Sequence, residues 1–472
     1  MADDAKLSAM PFPTRIFPLF LLLTVSAGAL AAGDDPLATE ALLPLRSATA
    51  LAARVGELPC AEQLPATPLS ALDAVDLALC KHPQTREVWA SARLQAAQVG
   101  VARAGWLPSL DGRVGVNRNF SEDARTNQGT ASLTLSWLLF DAGQRQATLD
   151  NAARLLDAAL ATRDATVQTL FLGALQAYYG AQAAQAAVRA AGEAERAASE
   201  SLAAAELRYR VGVATPADRL QAQTAASQAR LNRQRADGEA RNALGALANA
   251  LGFPAQTPLT LAAAPAPGET AAFRRDVEAL IAAAVDRRPD LKAAEAQLRA
   301  AEASVAVARA QGRPTLTLGA GPSWQRLDGD TSRGGTLGLT LNVPLFTGFE
   351  NTYRVRAAEA QQEVRAAQRE RLRNQVALDV WQAYQGLTTA TEALQTTRDL
   401  VASAEQSERV ALGRYKAGVG TVLDLLSAQS ALAAARVERI RAELDWNIYR
   451  ATLAQAMGAL DYSLLQAAEG RP

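Results

Sequence analysis

Apolar and polar residues alternate one by one in four stretches of this chain. One is Thr315-Leu316-Thr317-Leu318 and another is Thr336-Leu337-Gly338-Leu339-Thr340-Leu341-Asn342-Val343. Val114 and Val116 alternate with small or polar neighbours, as do Leu133, Leu135, Trp137 and Leu139. Period two gives an extended strand one apolar and one polar face. The polar stretches 121–129 and 328–335 predict turns that join the strands into two hairpins. Elsewhere the chain predicts helices. Short ones over 69–79 and 277–286 are stopped by the X-Pro bonds at Pro83 and Pro289, and helices of about six turns follow over 85–105 and 291–311. Gln144–Arg210 and Glu350–Lys416 contain no proline. At about 1.5 Å per residue each predicts a helix roughly 100 Å long, which suits a coiled coil or tube better than a globular domain. Turns at Gly212-Val213-Ala214-Thr215-Pro216 and Gly418-Val419-Gly420-Thr421 reverse the chain. Returning helices then run to Gly252 and Gly458, and Pro216 suits a first helical turn, where its missing N–H costs nothing.

This order of elements occurs twice at one spacing. Pro83 aligns with Pro289, 206 residues on, and the same offset aligns Arg103 with Arg309, Pro108 with Pro314 and Tyr178 with Tyr384. It also aligns Tyr209 with Tyr415, Gly212 with Gly418, Thr215 with Thr421, Asp218 with Asp424 and Gln223 with Gln429. The matches fall at turns and element ends, where Pro and Gly have structural meaning. Residues 70–265 and 266–460 are therefore expected to be two copies of one unit, preceded by a Pro-rich segment 32–69 and followed by a tail 461–472.

Composition narrows the class. The 472 residues carry no net charge and only 5% aromatics, with abundant alanine. Zero net charge argues against a nucleic-acid partner. Alanine favours long, closely packed helices. Residues 1–31 read as a signal peptide, with basic Lys6 and Arg15, an apolar run from Ile16 to Val25 and small residues around Ala29 and Ala31. An anchor helix is the alternative, but the run is short and Gly33-Asp34-Asp35-Pro36 ends it. Export across the inner membrane places Cys60 and Cys80, the only cysteines, in an oxidising compartment. That suggests one disulfide, with two buried thiols as the alternative. The lone His82 precedes a proline, and no metal-ligand spacing, nucleophile pair or phosphate loop is present, so neither an enzyme nor a cofactor is expected.

Four amphipathic strands cannot close a barrel, since a small barrel needs about eight. Open strand edges are not tolerated in lipid, so several subunits must share one barrel with its apolar face in lipid and its polar face on water. Trp137, Phe140 and Phe346 at the strand-to-helix junctions, and Phe120 and Trp324 near the hairpin tips, sit where interfacial aromatic belts are needed.

The tandem order, the turn motifs Tyr209-x-x-Gly212 to Asp218 and Tyr415-x-x-Gly418 to Asp424, Leu107-Pro108-Ser109-Leu110 and Pro344-Leu345-Phe346-Thr347-Gly348 together resemble the TolC family of outer-membrane factors. The resemblance implies an α+β membrane protein, a homotrimer with a twelve-stranded β-barrel in the outer membrane and a tunnel of long antiparallel coiled-coil helices in the periplasm. It implies a passive duct that docks, through the turn region with Gly212, Thr215, Gly418 and Thr421, on a periplasmic adaptor and an inner-membrane transporter. It further implies a gate at the same turns. Asp424 matches the first position of the family's acidic ring, and the second position is Ser427 here. Asp218 and Tyr415 match a polar link between the coils, while the arginine of that link is replaced by Gly420. Cys60, Cys80 and the segment 72–80 look more like type I secretion members, which implies an ABC transporter and a secreted protein cargo of the RTX-toxin kind. A drug-efflux component is the alternative, and a secreted coiled-coil scaffold without a membrane part is the alternative from another class.

Overall fold

The structure is a computed structural model that describes residues 35–43, 64–65, 67–120, 125–263 and 276–460. The signal-peptide reading, the tail 461–472 and Cys60 lie outside the described residues. Each repeat supplies a short helix, a medium helix, two strands, a long helix and a returning helix. In the first repeat these are α1 (Ala71–Lys81), α2 (Pro83–Ala104), β1 (Ser109–Phe120), β2 (Arg125–Phe140), α3 (Gln144–Arg210) and α4 (Pro216–Ala250). In the second they are α5 (Val277–Arg287), α6 (Pro289–Gln311), β3 (Thr315–Leu327), β4 (Asp330–Asn342), α7 (Glu350–Lys416) and α8 (Val422–Ala456). Both long helices have 67 residues and both returning helices 35, with the bounds expected from the sequence to within a few residues.

A 35-residue helix returns only about half the length of a 67-residue one. The medium helix of each repeat covers the other half, and the two meet end to end. Gly252 closes α4 at φ 78° against the α1–α2 junction, where a Cβ would stand 3.0 Å from the Lys81 carbonyl carbon. Gly458 closes α8 at φ 66° against Arg287 and Arg288, where a Cβ would stand 3.1 Å from backbone atoms. Only glycine has both the left-handed backbone and the missing side chain that this approach requires. The repeated glycine is thus what lets two short helices act as one long wall element.

The main core sits partway along α3. Leu77, Leu79, Phe171, Leu175, Tyr178, Leu247 and Leu251 are buried together there. Full burial of each such side chain contributes about 1.5–3 kcal/mol. A strap at Leu69 pairs with Leu261, its carbonyl accepting from the Tyr178 hydroxyl at 3.0 Å. Cys80, at the end of α1, is disulfide-bonded. Labelling unreduced protein with a thiol reagent after denaturation should therefore modify neither Cys60 nor Cys80. Modification of both would refute the bond.

The four strands form one antiparallel sheet in the order β1-β2-β3-β4. Direct cross-strand partners share a face, and the registers separate the chemistry. On one face Leu110 lies opposite Leu135, Leu135 opposite Ala320, Trp137 opposite Leu318 and Leu318 opposite Leu339. On the other, Asp111 lies opposite Thr134, Ser132 opposite Ser323 and Thr317 opposite Thr340. Leu110, Val114, Val116, Leu337, Leu339 and Leu341 are exposed, so none of the described residues covers the apolar face. Among the described residues no helix is long and apolar enough to cross a membrane.

The hairpin turns are shorter than the sequence pattern predicts. β2 already starts at Arg125, where a turn over 121–129 is expected. β3 and β4 join through Asp328 and Gly329 alone, both at positive φ, where a turn over 328–335 is expected. The strands have 12 to 16 residues, more than the roughly 9–11 that a bilayer requires. Their far ends leave the apolar band, so they carry Asn, Gln, Gly and Arg yet still pair through the backbone. Alternation cannot detect a strand that is polar on both faces. The two copies also part at the other end. Arg145 bonds the carbonyls of Leu138 (2.6 Å) and Leu139 (3.3 Å), pairs with Asp141 and stacks on Trp106. Asn351 and Gly312 occupy the equivalent places of Arg145 and Trp106 in the second repeat, and β4 stops at Asn342.

Candidate gate at the helix reversals

Both reversals use one local design. At the end of α3, Gly212 adopts φ 81°. Its N–H donates to the Tyr209 carbonyl at 3.1 Å, and the Val213 N–H to the Arg208 carbonyl at 2.9 Å. This glycine-capped pattern satisfies the last carbonyls of a helix. Gly418 (φ 79°) and Val419 repeat it on Tyr415 and Arg414. Thr215 then caps α4: its hydroxyl accepts from the Asp218 N–H at 3.2 Å, and its own N–H donates to the Asp218 carboxylate at 2.9 Å. Thr421 and Asp424 do the same for α8 at 3.1 and 3.3 Å. Such reciprocal capping fixes where the returning helix starts.

These hydrogen bonds, made first of all by Thr215 and Thr421, hold both carboxyls below the usual carboxylate range. Arg208 adds to the effect at Asp218 and Arg414 at Asp424. A depressed pKa stabilises the folded turn above the unfolded value of about 3.9, and that contribution is lost as pH falls through the lowered folded value.

Within one chain, every hydrogen bond of Asp218 among the described residues stays within its own cap, and none reaches Tyr415. Arg208 makes the connection instead. Its guanidinium lies 4.6 Å from the Tyr415 ring centroid, and its Nη1 donates to the Tyr415 carbonyl at 3.1 Å. Tyr415 is buried with Ala205, Ala222, Val422 and Leu425. Gly420, in the place of the expected arginine, leaves room for little else: a Cβ there would stand 3.0 Å from the Arg414 Cβ. Asp424 and Ser427 are exposed on the first and second turns of α8.

Two further contacts join the hairpins above the turns. Gln429 donates to the hydroxyl of buried Ser201 at 3.1 Å. Arg436 on α8 pairs with Glu193 on α3 at 2.8 Å and with Glu405 on α7 at 3.4 Å. Sequence reasoning did not single out Arg208, Ser201 or Arg436. The signal was present, because Arg208 recurs as Arg414 and Ser201 as Ser407 at the repeat spacing. Among the described residues no cluster has the composition of a metal site.

Comparison with known proteins agrees with this architecture. The family profile described as outer membrane efflux protein matches residues 74–253 and again 280–459, two matches at the offset of the internal repeat. Protein CyaE of Bordetella pertussis is 34% identical over 84% of this chain and 85% of its own length. The pyoverdine export outer membrane protein OpmQ of Pseudomonas aeruginosa is 28% identical over 75% and 78%. The crystal structure of the outer membrane protein VceC from Vibrio cholerae superposes with a TM-score of 0.72 at 22% identity, covering 82% of this chain and 96% of that one. The chain belongs to the outer membrane efflux protein family, the TolC family, and is an outer-membrane channel protein whose helical tunnel extends into the periplasm.

Proposed function

We propose that three copies of this chain form the outer-membrane duct of a type I protein secretion system. The duct takes a secreted protein, of the RTX-toxin class, from an inner-membrane ABC transporter and its periplasmic adaptor to the exterior. Each copy gives four strands to a twelve-stranded barrel. The sheet supports this reading, since it has one apolar and one polar face and two open edges, at β1 and β4. The observation that carries the choice of cargo is the likeness to CyaE over most of both chains, together with the resemblance of segment 72–80 to type I members. The gate is assigned to Tyr415, Asp218 and Asp424, with Arg208 holding Tyr415. The turns with Gly212, Thr215, Gly418 and Thr421 are assigned to adaptor docking. The likeness to the pyoverdine exporter OpmQ favours a second reading, the outer-membrane part of a small-molecule efflux pump.

Deleting the gene in its own bacterium separates the two. The secretion reading expects one or a few large proteins to vanish from the culture supernatant, with drug susceptibility unchanged. An unchanged supernatant with raised susceptibility to small toxic compounds would overturn it in favour of efflux.

A further inference from the structure

The registers of the sheet also sort its charges, and they do so at the hairpin ends. On β1 the apolar face runs from Leu110 through Val114 and Val116 to Arg118 and Phe120. On β3 it runs from Leu316, Leu318 and Ala320 to Trp324 and Arg326, and on β4 from Leu341, Leu339 and Leu337 to Arg333. All three arginines are exposed. Arg333 lies opposite Trp324, and Arg326 opposite Gly129. A Cβ on Gly129 would stand 3.9 Å from the Arg326 Cβ, so the two positions face the same way. The Arg118 guanidinium lies 5.5 Å from the Phe120 ring centroid. The acidic residues go elsewhere. Asp111 and Asp330 fall on the polar face, opposite Thr134 and Leu327. The Asp328 carboxylate, in the turn, accepts the Asn127 N–H at 2.7 Å. Among the described residues of the strands the apolar face carries no carboxylate, so its arginines have no counter-charge on that face.

Height decides what these arginines meet. The helices leave the other end of the strands and extend into the periplasm, so the hairpins point to the exterior. At about 3.4 Å per residue and a tilt of about 40°, the path from Leu316 to Arg326 rises roughly 26 Å. The lipid-facing band of a barrel is about 25 Å tall. Arg326 and Arg118 therefore stand at its outer rim. Arg333 starts one residue pair lower, and its long stem carries the charge up to the rim. Solubility alone does not require this sorting. The polar face of the same hairpin ends carries Asn117, Asn119, Gln128 and Gln325, with no arginine.

We propose that Arg118, Arg326 and Arg333 hold the phosphate groups of the phosphorylated glycolipid in the outer leaflet, so that each copy carries a lipid-anchoring site on its outer wall. A guanidinium meets a phosphate through two parallel N–H···O bonds and is weakly hydrated, which suits the edge of a bilayer. Phe120 and Trp324 beside them sit at the boundary between acyl chains and headgroups. The site rests on the reading of the apolar face as the lipid-facing wall of the duct.

The test is native mass spectrometry of the channel, extracted from outer membranes in detergent, stripped of lipid and mixed with bis-phosphorylated lipid A or with lipid A from which both phosphates have been removed. The phosphorylated lipid should bind at least about tenfold more tightly than the stripped one. Arg118→Gln/Arg326→Gln/Arg333→Gln should remove that preference, whereas Arg113→Gln, on the polar face, should keep it. Inorganic phosphate at the lipid's concentration should not displace the lipid, and displacement would make this a site for free anions. Intact trimers that bind both lipids alike, or a preference lost equally in Arg113→Gln, would overturn the lipid site and leave the duct standing. Particles of a single chain would overturn the duct and the site with it.

Discussion

Leu135→Arg should remove the protein from the outer membrane, while Thr134→Arg, one residue away, should leave it there. Leu135 lies in an inner strand between Leu110 and Ala320, in the middle of the apolar band. An arginine facing lipid at the midplane of a barrel costs about 2–4 kcal/mol. Three subunits carry the change at once, so the complex loses roughly 6–12 kcal/mol, comparable to the net stability of an ordinary domain. Thr134 points to the opposite face and lies across from Asp111, so an arginine there enters water beside a carboxylate. The check is the amount of each variant in sedimented outer membranes and its heat-modifiable migration. Retention of Leu135→Arg with loss of Thr134→Arg would mean that the faces are reversed.

The second large effect concerns the gate. Arg208→Ala should raise single-channel conductance several-fold, because Arg208 is what holds Tyr415 to the first hairpin. Its loss removes a charged hydrogen bond worth about 1.5–3 kcal/mol and a cation–π contact of about 0.5–2 kcal/mol from each subunit. Asp218→Ala should open the channel far less, since Asp218 bonds only within its own cap. Asp424→Asn should change selectivity rather than opening. In the proposed trimer, three Asp424 carboxylates would form a ring around the axis that attracts cations. The Thr421 cap lowers the Asp424 pKa and would help keep such a ring charged. Ser427 could not reinforce it, so a single carboxylate per subunit would carry the preference. Planar-bilayer recordings decide both points. Unchanged conductance in Arg208→Ala would show that the coils are held elsewhere, and unchanged ion preference in Asp424→Asn would place the constriction away from this turn.

Much of the architecture was legible because few physical signals fixed it. The long helices were readable from proline-free runs bounded by glycine, and the repeat spacing located every element twice. The strands were readable only where Leu and Val alternated with Thr and Ser, so their polar ends were lost. At the gate, the repeat spacing located Thr215, Asp218, Thr421 and Asp424, but their role as reciprocal helix caps came from the structure. The contact partner of Tyr415 was not legible. It depends on how the end of α3 packs against the second hairpin through α8, and no local pattern in 201–215 reports that packing. Gly420 in place of the expected arginine left the link either missing or made by another residue, and Arg208 on the other hairpin brings a guanidinium to Tyr415.

If this four-strand sheet is one third of a shared barrel, the mass of the intact particle, released from detergent after extraction from outer membranes, should equal three chains, and the particle should be obtained only with detergent. A single chain per particle, or full recovery as a soluble periplasmic protein, would contradict it.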